Sequence, residues 1–164
     1  TPTRRQRQMC IRDSFRGVQR RFSHLFDFNN ISFYDDYAHH PTEISSVLSG
    51  VEKVYKNKEI VCVFQPHRIS RVISLKKEFS KCFKKADTVL LCPIYAANEK
   101  LRLNFTYHSF AKLIIKNSNV RLIQVENELQ LQKFIKQNVF GKKIYIGMGA
   151  GSISNWMKNL KNIF

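Results

Sequence analysis

Residues 31–43 read ISFYDDYAHHPTE and combine a short apolar run, a charged turn and the start of a helix. The apolar run predicts a strand, and Pro41 with Glu43 in a first helical turn predicts a helix N-terminus. Two carboxylates and two imidazoles therefore lie on the turn at the carboxyl end of a strand. Open α/β sheets bind their ligands at such turns. We interpret this turn as part of a functional site.

Strand and helix patterns alternate along the rest of the chain. Continuous apolar runs, such as IVCVF within EIVCVF at 59–64, are typical of strands buried on both faces, and apolar residues at helical spacing separate them. The order predicts an α/β fold, with an open, mainly parallel sheet and helices on both faces. The predicted strands are 31–35, 59–64, 88–92, 120–125 and 143–147, and the predicted helices are 43–55, 69–84, 107–115, 129–135 and 154–160.

The 164 residues are enough for one domain, and their net charge is +16. Most lysines fall between apolar positions of predicted helices, which is the pattern of solvated outer faces. No recognised nucleic-acid motif accompanies them, so we expect no nucleic-acid partner. A basic α/β module that binds nucleic acid is the alternative, and a salt-dependent affinity for DNA or RNA would support it.

No apolar run approaches the roughly 20 residues of a membrane span, so we expect no membrane association. The four cysteines, Cys10, Cys62, Cys82 and Cys92, lack the close spacing of a zinc site, and we expect no metal site. The last three lie in apolar or helical surroundings. This pattern predicts reduced, buried thiols in a cytoplasmic protein.

Residues 1–14 differ from the rest of the chain, because they are basic and have no apolar periodicity. They resemble a translated adapter sequence joined to a truncated gene. A native, disordered basic arm is the alternative. In either case we expect the folded domain to be residues 15–164.

Five blocks give the chain a resemblance to a known family. DDYAHHPTE at 35–43 resembles the DDYxHHPTE signature of the Mur ligases. Asn98 stands where that family usually has glycine, and asparagine tolerates the left-handed backbone better than most residues. The resemblance covers roughly residues 15–164. The other four blocks, in the family's order, are FRGVQRRF at 15–22, FQPHRISR at 64–71, IYAANE at 94–99 and GMGAGSI at 147–153.

The resemblance implies the C-terminal domain of an ATP-dependent ligase of peptidoglycan synthesis, with a Rossmann-like sheet of about six strands, one of them antiparallel. Such ligases use ATP and Mg²⁺ to turn a carboxylate into an acyl phosphate, which an amine then attacks. The most similar branch joins L-alanine to UDP-N-acetylmuramate. The murein peptide ligases, which couple a preformed tripeptide, are the alternative branch.

The family's N-terminal UDP-sugar domain and central ATPase domain have no counterpart in this sequence. No Gly-x-x-x-x-Gly-Lys-Ser/Thr phosphate loop occurs in it. The family's magnesium ligands also belong to those two domains. We therefore expect the chain to be inactive alone, and to bind ATP and Mg²⁺ mainly through the other domains.

The resemblance implies roles for residues on the nucleotide side. Arg21 would be the catalytic residue that reaches the γ-phosphate of ATP, since a guanidinium stays charged and binds phosphate bidentately. Asp36 would accept hydrogen bonds from the ribose hydroxyls, while Tyr37 and His40 would line the nucleotide pocket. Asp35 would instead cap the turn or the following helix.

A second set of residues is implied on the amino-acid side. Arg68 and Arg71 are three apart, which predicts one shared helix face near a helix N-terminus, where anions are favoured. By resemblance they hold the carboxylate of L-alanine together with His67 and His39. Tyr95 and Glu99 form a possible edge of the same pocket. The glycines of 147–151 have two open explanations, phosphate binding or close strand–helix packing.

Overall fold

The computed structural model describes residues 21–100 and 106–164. Within them, one sheet has the strand order β1-β2-β6-β3-β4-β5, in which β1 pairs antiparallel with β2 and every other pair is parallel. The α/β fold with a mainly parallel sheet and one antiparallel strand is thus confirmed. The stretch 1–14 and most of the 15–22 block lie outside the described residues. The strands are β1 Ser23–Phe28, β2 Ile31–Asp36, β3 Glu59–Phe64, β4 Thr88–Leu91, β5 Arg121–Gln124 and β6 Lys143–Met148.

Helices cover both faces of this sheet. Their bounds are α1 Pro41–Val54, α2 Ile69–Ser74, α3 Lys76–Lys81, α4 Tyr107–Ser118, α5 Glu128–Lys136 and α6 Ile153–Asn159, followed by a 3₁₀ turn at Leu160–Ile163. None of these described helices is long and apolar enough to cross a membrane.

Two apolar cores lie on opposite faces of the sheet. The first contains buried residues of α1 to α4, and the second contains those of α5 and α6. In β6, Ile144 and Ile146 belong to the first core and Tyr145 between them belongs to the second, as the two-residue period of a strand requires. Because both faces are covered, the central strands are apolar after their first residue.

Strand β1 was implied by the family resemblance and not by its own residues. Its pairing with β2 shifts register between His24 and Phe26, which interrupts the alternation of inward and outward side chains. Asn29 and Asn30 connect the two strands with φ values of 51° and 62°. A two-residue connection with positive φ at both positions is typical of a tight hairpin. The Asn-Asn pair is therefore the sequence signal that indicates β1.

The predicted single helix at 69–84 is wrong, because the structure divides it into α2 and α3. Leu75 at the junction has φ −114° and ψ 24°, which is outside the helical region. Val72 and Phe79 on either side are fully buried in the same core. Since the apolar spacing continues across the junction, periodicity alone does not reveal the break.

The predicted burial of three thiols is confirmed. Cys62, Cys82 and Cys92 are buried and free of disulfides. Burial raises the pKa of Cys92 to about 12 and also raises the pKa of the other two thiols. These groups therefore stay protonated, and a protonated thiol is a poor nucleophile and a poor metal ligand.

Candidate binding site at the carboxyl edge of the sheet

The turns that follow β2, β3, β4 and β6 leave the sheet at one edge. Parallel pairing places Asp36 beside Met148, Met148 beside Phe64, and Phe64 beside Leu91. Each of these four residues is the last of its strand. Side chains that are far apart in sequence therefore meet at the carboxyl edge, where this class of sheet binds ligands.

Four rings form a row along this edge, which we call the aromatic row: Tyr37, His39, His67 and Tyr95. Successive ring centroids are 4.9 Å, 6.0 Å and 5.4 Å apart, and the last two rings are nearly parallel, at 10°. The row joins residues from the turns after β2, β3 and β4. Tyr95 is 42% exposed, so the row ends at the protein surface.

Arg71 contacts the aromatic row through His67. Its Nη1 lies 3.3 Å from Nδ1 of His67 and 3.5 Å from the carbonyl oxygen of His67. Burial, and then the positive charge of Arg71, lowers the pKa of His67 below its ordinary value. Because a guanidinium can only donate, Nδ1 accepts and Nε2 carries the ring proton. His67 is thus a neutral imidazole that can donate from Nε2.

Arg68 corrects the expectation of a shared helix face. The helix begins at Ile69, and Arg68 precedes it with φ 70° and ψ 128°. Its main-chain N–H donates to the carbonyl of Tyr95, at 2.8 Å, and its side chain is exposed. Arg68 and Arg71 nevertheless line one shallow depression beside α2.

Glu99 contacts the start of α2. Its carboxylate accepts from the hydroxyl of Ser70 at 2.6 Å and from the main-chain N–H of Ser70 at 2.9 Å. These bonds lower the pKa of Glu99. Asn98 beside it has φ 69°, which confirms the left-handed backbone expected there. Glu99 therefore fastens the turn after β4 to α2, a contact that sequence reasoning did not identify.

Asp36 lies beneath the turn after β2. Its side chain is 3% exposed. Oδ2 accepts from the N–H of Phe22 at 2.8 Å, and Oδ1 accepts from the N–H of Ala38 at 2.7 Å. Burial raises the pKa of Asp36, although both hydrogen bonds and the charge of Arg21 act in the opposite direction. The carboxylate expected at the ribose therefore binds the main chain on both of its oxygens.

The cap of α1 comes from His40 and not from Asp35. Nδ1 of His40 accepts from the N–H of Thr42, and the carboxylate of Glu43 accepts from the N–H of His40, both at 3.2 Å. These reciprocal bonds form a capping box. Asp35 is buried and accepts from the hydroxyl of Ser154 at 2.7 Å. His40 remains exposed at the turn, on the side where the nucleotide was expected.

Close packing explains the glycines after β6. A Cβ on Gly151 would lie 2.6 Å from Cγ of Tyr95, and one on Gly149 would lie 2.8 Å from the carbonyl of Gln65. Gln65 is 3% exposed, donates to the hydroxyl of Ser152 and accepts from the N–H of Ile153, both at 3.0 Å. Of the two explanations for this turn, the contacts support packing. This role of Gln65 was not identified from the sequence. The signal that could have indicated it is a polar residue directly after a buried strand.

Arg21 is exposed at the start of the described chain, next to Phe22, and its charge acts on the Asp36 carboxylate. Among residues 21–100 and 106–164, no group of three or more His, Cys, Asp or Glu side chains could hold a metal ion.

Comparisons of sequence show which family the chain resembles. The family described as "Mur ligase, glutamate ligase domain" matches residues 20–144. The UDP-N-acetylmuramate–L-alanine ligase of Pelagibacter ubique (strain HTCC1062) is 62% identical over 149 residues, which are 91% of this chain and 32% of that protein. The chain thus spans about a third of the length of the curated relatives that it matches.

Solved structures share the fold. The UDP-N-acetylmuramate-alanine ligase of Thermotoga maritima is 29% identical with a TM-score of 0.64, over 91% of this chain and 30% of that one. A murein peptide ligase of Psychrobacter arcticus 273-4 is 18% identical with a TM-score of 0.70, over 89% of this chain and 30% of that one. The second likeness concerns the fold alone.

Proposed function

Because the chain belongs to the Mur ligase family, as a glutamate ligase domain, we propose that it is the C-terminal domain of an ATP-dependent ligase that joins L-alanine to UDP-N-acetylmuramate. One observation carries the proposal, namely 62% identity over nearly the whole chain with a protein of that activity. The murein peptide ligase with the same fold is only 18% identical. The reaction would belong to peptidoglycan precursor synthesis in the cytoplasm, and the domain would be residues 15–164.

The nucleotide side of the site is the turn after β2. We assign Arg21 to the γ-phosphate of ATP, where its permanent charge would stabilise the transferring phosphoryl group. Tyr37 and His40 lie on the same turn at partly exposed positions and would line the nucleotide. Asp36 lies directly beneath them and is 3% exposed, and we assign it to the ribose, whose hydroxyls would donate to its carboxylate.

The amino-acid side is the depression beside α2. Arg71 has five N–H donors and uses Nη1 on His67, so the other donors can bind the carboxylate of L-alanine. Arg68 lines the same depression and would add a second positive charge. His67 and His39 of the aromatic row would contact the amino acid from the sheet side. Tyr95 forms the outer edge, and Glu99 supports it through Ser70.

This arrangement divides the chemistry between the chain and the rest of the ligase. ATP supplies the phosphoryl group that activates the carboxylate of UDP-N-acetylmuramate. The residues of this chain would hold the carboxylate of L-alanine, which leaves the amine free to attack the acyl phosphate. Holding both reactants in place replaces a bimolecular encounter by an intramolecular one.

A chimeric enzyme tests the proposal. This chain would replace the matching third of the Pelagibacter ubique ligase, and phosphate release from ATP would be measured with UDP-N-acetylmuramate and L-alanine. We expect release that requires L-alanine, and no release by the 164-residue chain alone. Preference for the preformed tripeptide over L-alanine would instead identify a murein peptide ligase. Turnover by the chain alone would contradict the need for the other domains.

A further inference from the structure

Phe22 adopts a backbone conformation that needs support. Its φ is 43°, in the left-handed region that residues other than glycine rarely adopt. Such residues persist where their surroundings hold them, and they occur often at functional sites. Two contacts hold Phe22. Its N–H donates to Oδ2 of Asp36 at 2.8 Å, and its ring stacks on Tyr34 at 4.1 Å and 6°.

This support acts directly on the preceding residue. Arg21 precedes Phe22, so the position of the Phe22 amide fixes the point from which the Arg21 side chain extends. The carboxylate of Asp36 also attracts the Arg21 charge. A guanidinium that must meet a developing charge is effective only when its position is set in advance.

We infer that Asp36 is a positioning residue, which places Arg21 for phosphoryl transfer by holding the main chain of Phe22. The inference rests on the proposed function. It adds a role to the ribose contact that the resemblance implies, since each carboxylate oxygen of Asp36 accepts one main-chain N–H and keeps a further lone pair. The carboxylate joins the segment before β1 to the turn before α1, and it acts through Arg21.

Asp36→Asn in the chimeric ligase tests this role. Asparagine has one acceptor oxygen, so Phe22 or Ala38 loses its partner. We expect kcat to fall about tenfold or more, as a misplaced catalytic group would cause, while KM for 2′,3′-dideoxy-ATP changes little. In an Arg21→Ala background the same change should cost less than about twofold, because coupled residues are not additive. Asp35→Asn is the matched control, since Asp35 is equally buried but bonds Ser154.

A role limited to the ribose makes the opposite prediction with 2′,3′-dideoxy-ATP, which lacks both ribose hydroxyls. A positioning role predicts that the loss caused by Asp36→Asn persists with this nucleotide. Disappearance of the loss would overturn the inference in favour of a ribose contact, and full additivity with Arg21→Ala would overturn it too. Phe22→Gly removes the ring stacked on Tyr34 but keeps the N–H that Asp36 holds, so kcat should fall less than in Asp36→Asn. An equal or larger fall would assign the positioning to the ring and contradict the inference.

Hydrogen exchange separates this inference from the proposed function. In the chimera, the amide of Phe22 should exchange faster in Asp36→Asn than in Asp35→Asn, because it loses its acceptor. Equal exchange in the two variants would show that Asp36 does not hold the Phe22 amide, whatever the substrate is. If exchange rises but the unmodified chimera releases no phosphate with L-alanine, the contact between Asp36 and Phe22 is confirmed and the proposed function is wrong.

Discussion

The guanidinium Nη1 of Arg71 lies 3.3 Å from Nδ1 of His67. Burial and this positive charge lower the pKa of His67. We therefore expect an NMR titration of the 164-residue chain to give His67 a pKa below the ordinary histidine value of about 6.5. Arg71→Ala should move the pKa back toward that value. Arg121→Ala, on the edge strand β5, is the control and should leave it unchanged.

The sign of the stability effect follows from the same shift. The folded chain binds a proton at His67 less readily than the unfolded chain does. Stability should therefore decrease as pH falls from about 6.5 through the folded-state pKa, with no contribution from His67 above that range. A His67→Gln variant should lose this part of the pH dependence in denaturation curves. An unaltered pH dependence would contradict the shift.

Arg71→Ala in the chimeric ligase should raise KM for L-alanine. Losing one charge-assisted hydrogen bond costs about 1.5–3 kcal/mol, or roughly a tenfold to hundredfold rise. KM for ATP should stay nearly constant, and Arg71→Lys should restore binding only in part, because an ammonium lacks the planar fork.

Arg68→Ala should act in the same direction as Arg71→Ala, since both residues line one depression. Lys77→Ala, an exposed change on α3, is the matched control for loss of one positive charge. A rise in KM for ATP without a rise for L-alanine would place these arginines at the nucleotide instead.

Arg21→Ala should mainly lower kcat. The guanidinium is needed most when charge develops on the γ-phosphate, and removal of comparable groups costs on the order of a hundredfold or more. Steady-state kinetics of the chimera measure this, with Arg121→Ala as the control for a lost surface charge. A kcat within a few-fold of the unmodified enzyme would show that Arg21 does not stabilise the γ-phosphate.

Gly151→Ala should weaken both the fold and the site. The new Cβ would lie 2.6 Å from Cγ of Tyr95, a ring atom close to the main chain that cannot easily move aside. We expect a loss of about 1–3 kcal/mol in unfolding free energy, as for other overpacked positions. Displacement of Tyr95 from His67 should also raise KM for L-alanine in the chimera.

Gly50→Ala is the matched substitution in open space. Gly50 lies in α1, and beyond its own helix a Cβ there would meet no atom of the described residues within 4 Å. Alanine there should stabilise the chain by about 0.5–1 kcal/mol, because glycine loses more backbone freedom on folding. Urea denaturation of both variants gives the comparison. Equal effects at the two glycines would show that packing at Tyr95 does not matter.

The sequence by itself determined the fold class and most of the elements. IVCVF at 60–64 is apolar throughout because both faces of β3 are covered, and this condition is visible without coordinates. Pro41 and Glu43 mark the start of α1 because proline and a first-turn carboxylate suit a helix N-terminus. Asn98 takes positive φ because its side chain tolerates it. These features depend on local conformation and on burial, which residue types reflect directly.

Only the tertiary structure decided which of these residues meet. The strand order puts β6 between β2 and β3, a long-range pairing that local patterns do not specify, and it brings the turns carrying Asp36 and His67 to one edge. The break at Leu75 was hidden because apolar spacing continues through it. The direction of a carboxylate also depends on its neighbours in space. Asp36 accepts a hydrogen bond from the N–H of Phe22, 14 positions away. A buried carboxylate oxygen is separated from water, so it needs a donor from the protein, and this main-chain N–H lies nearest.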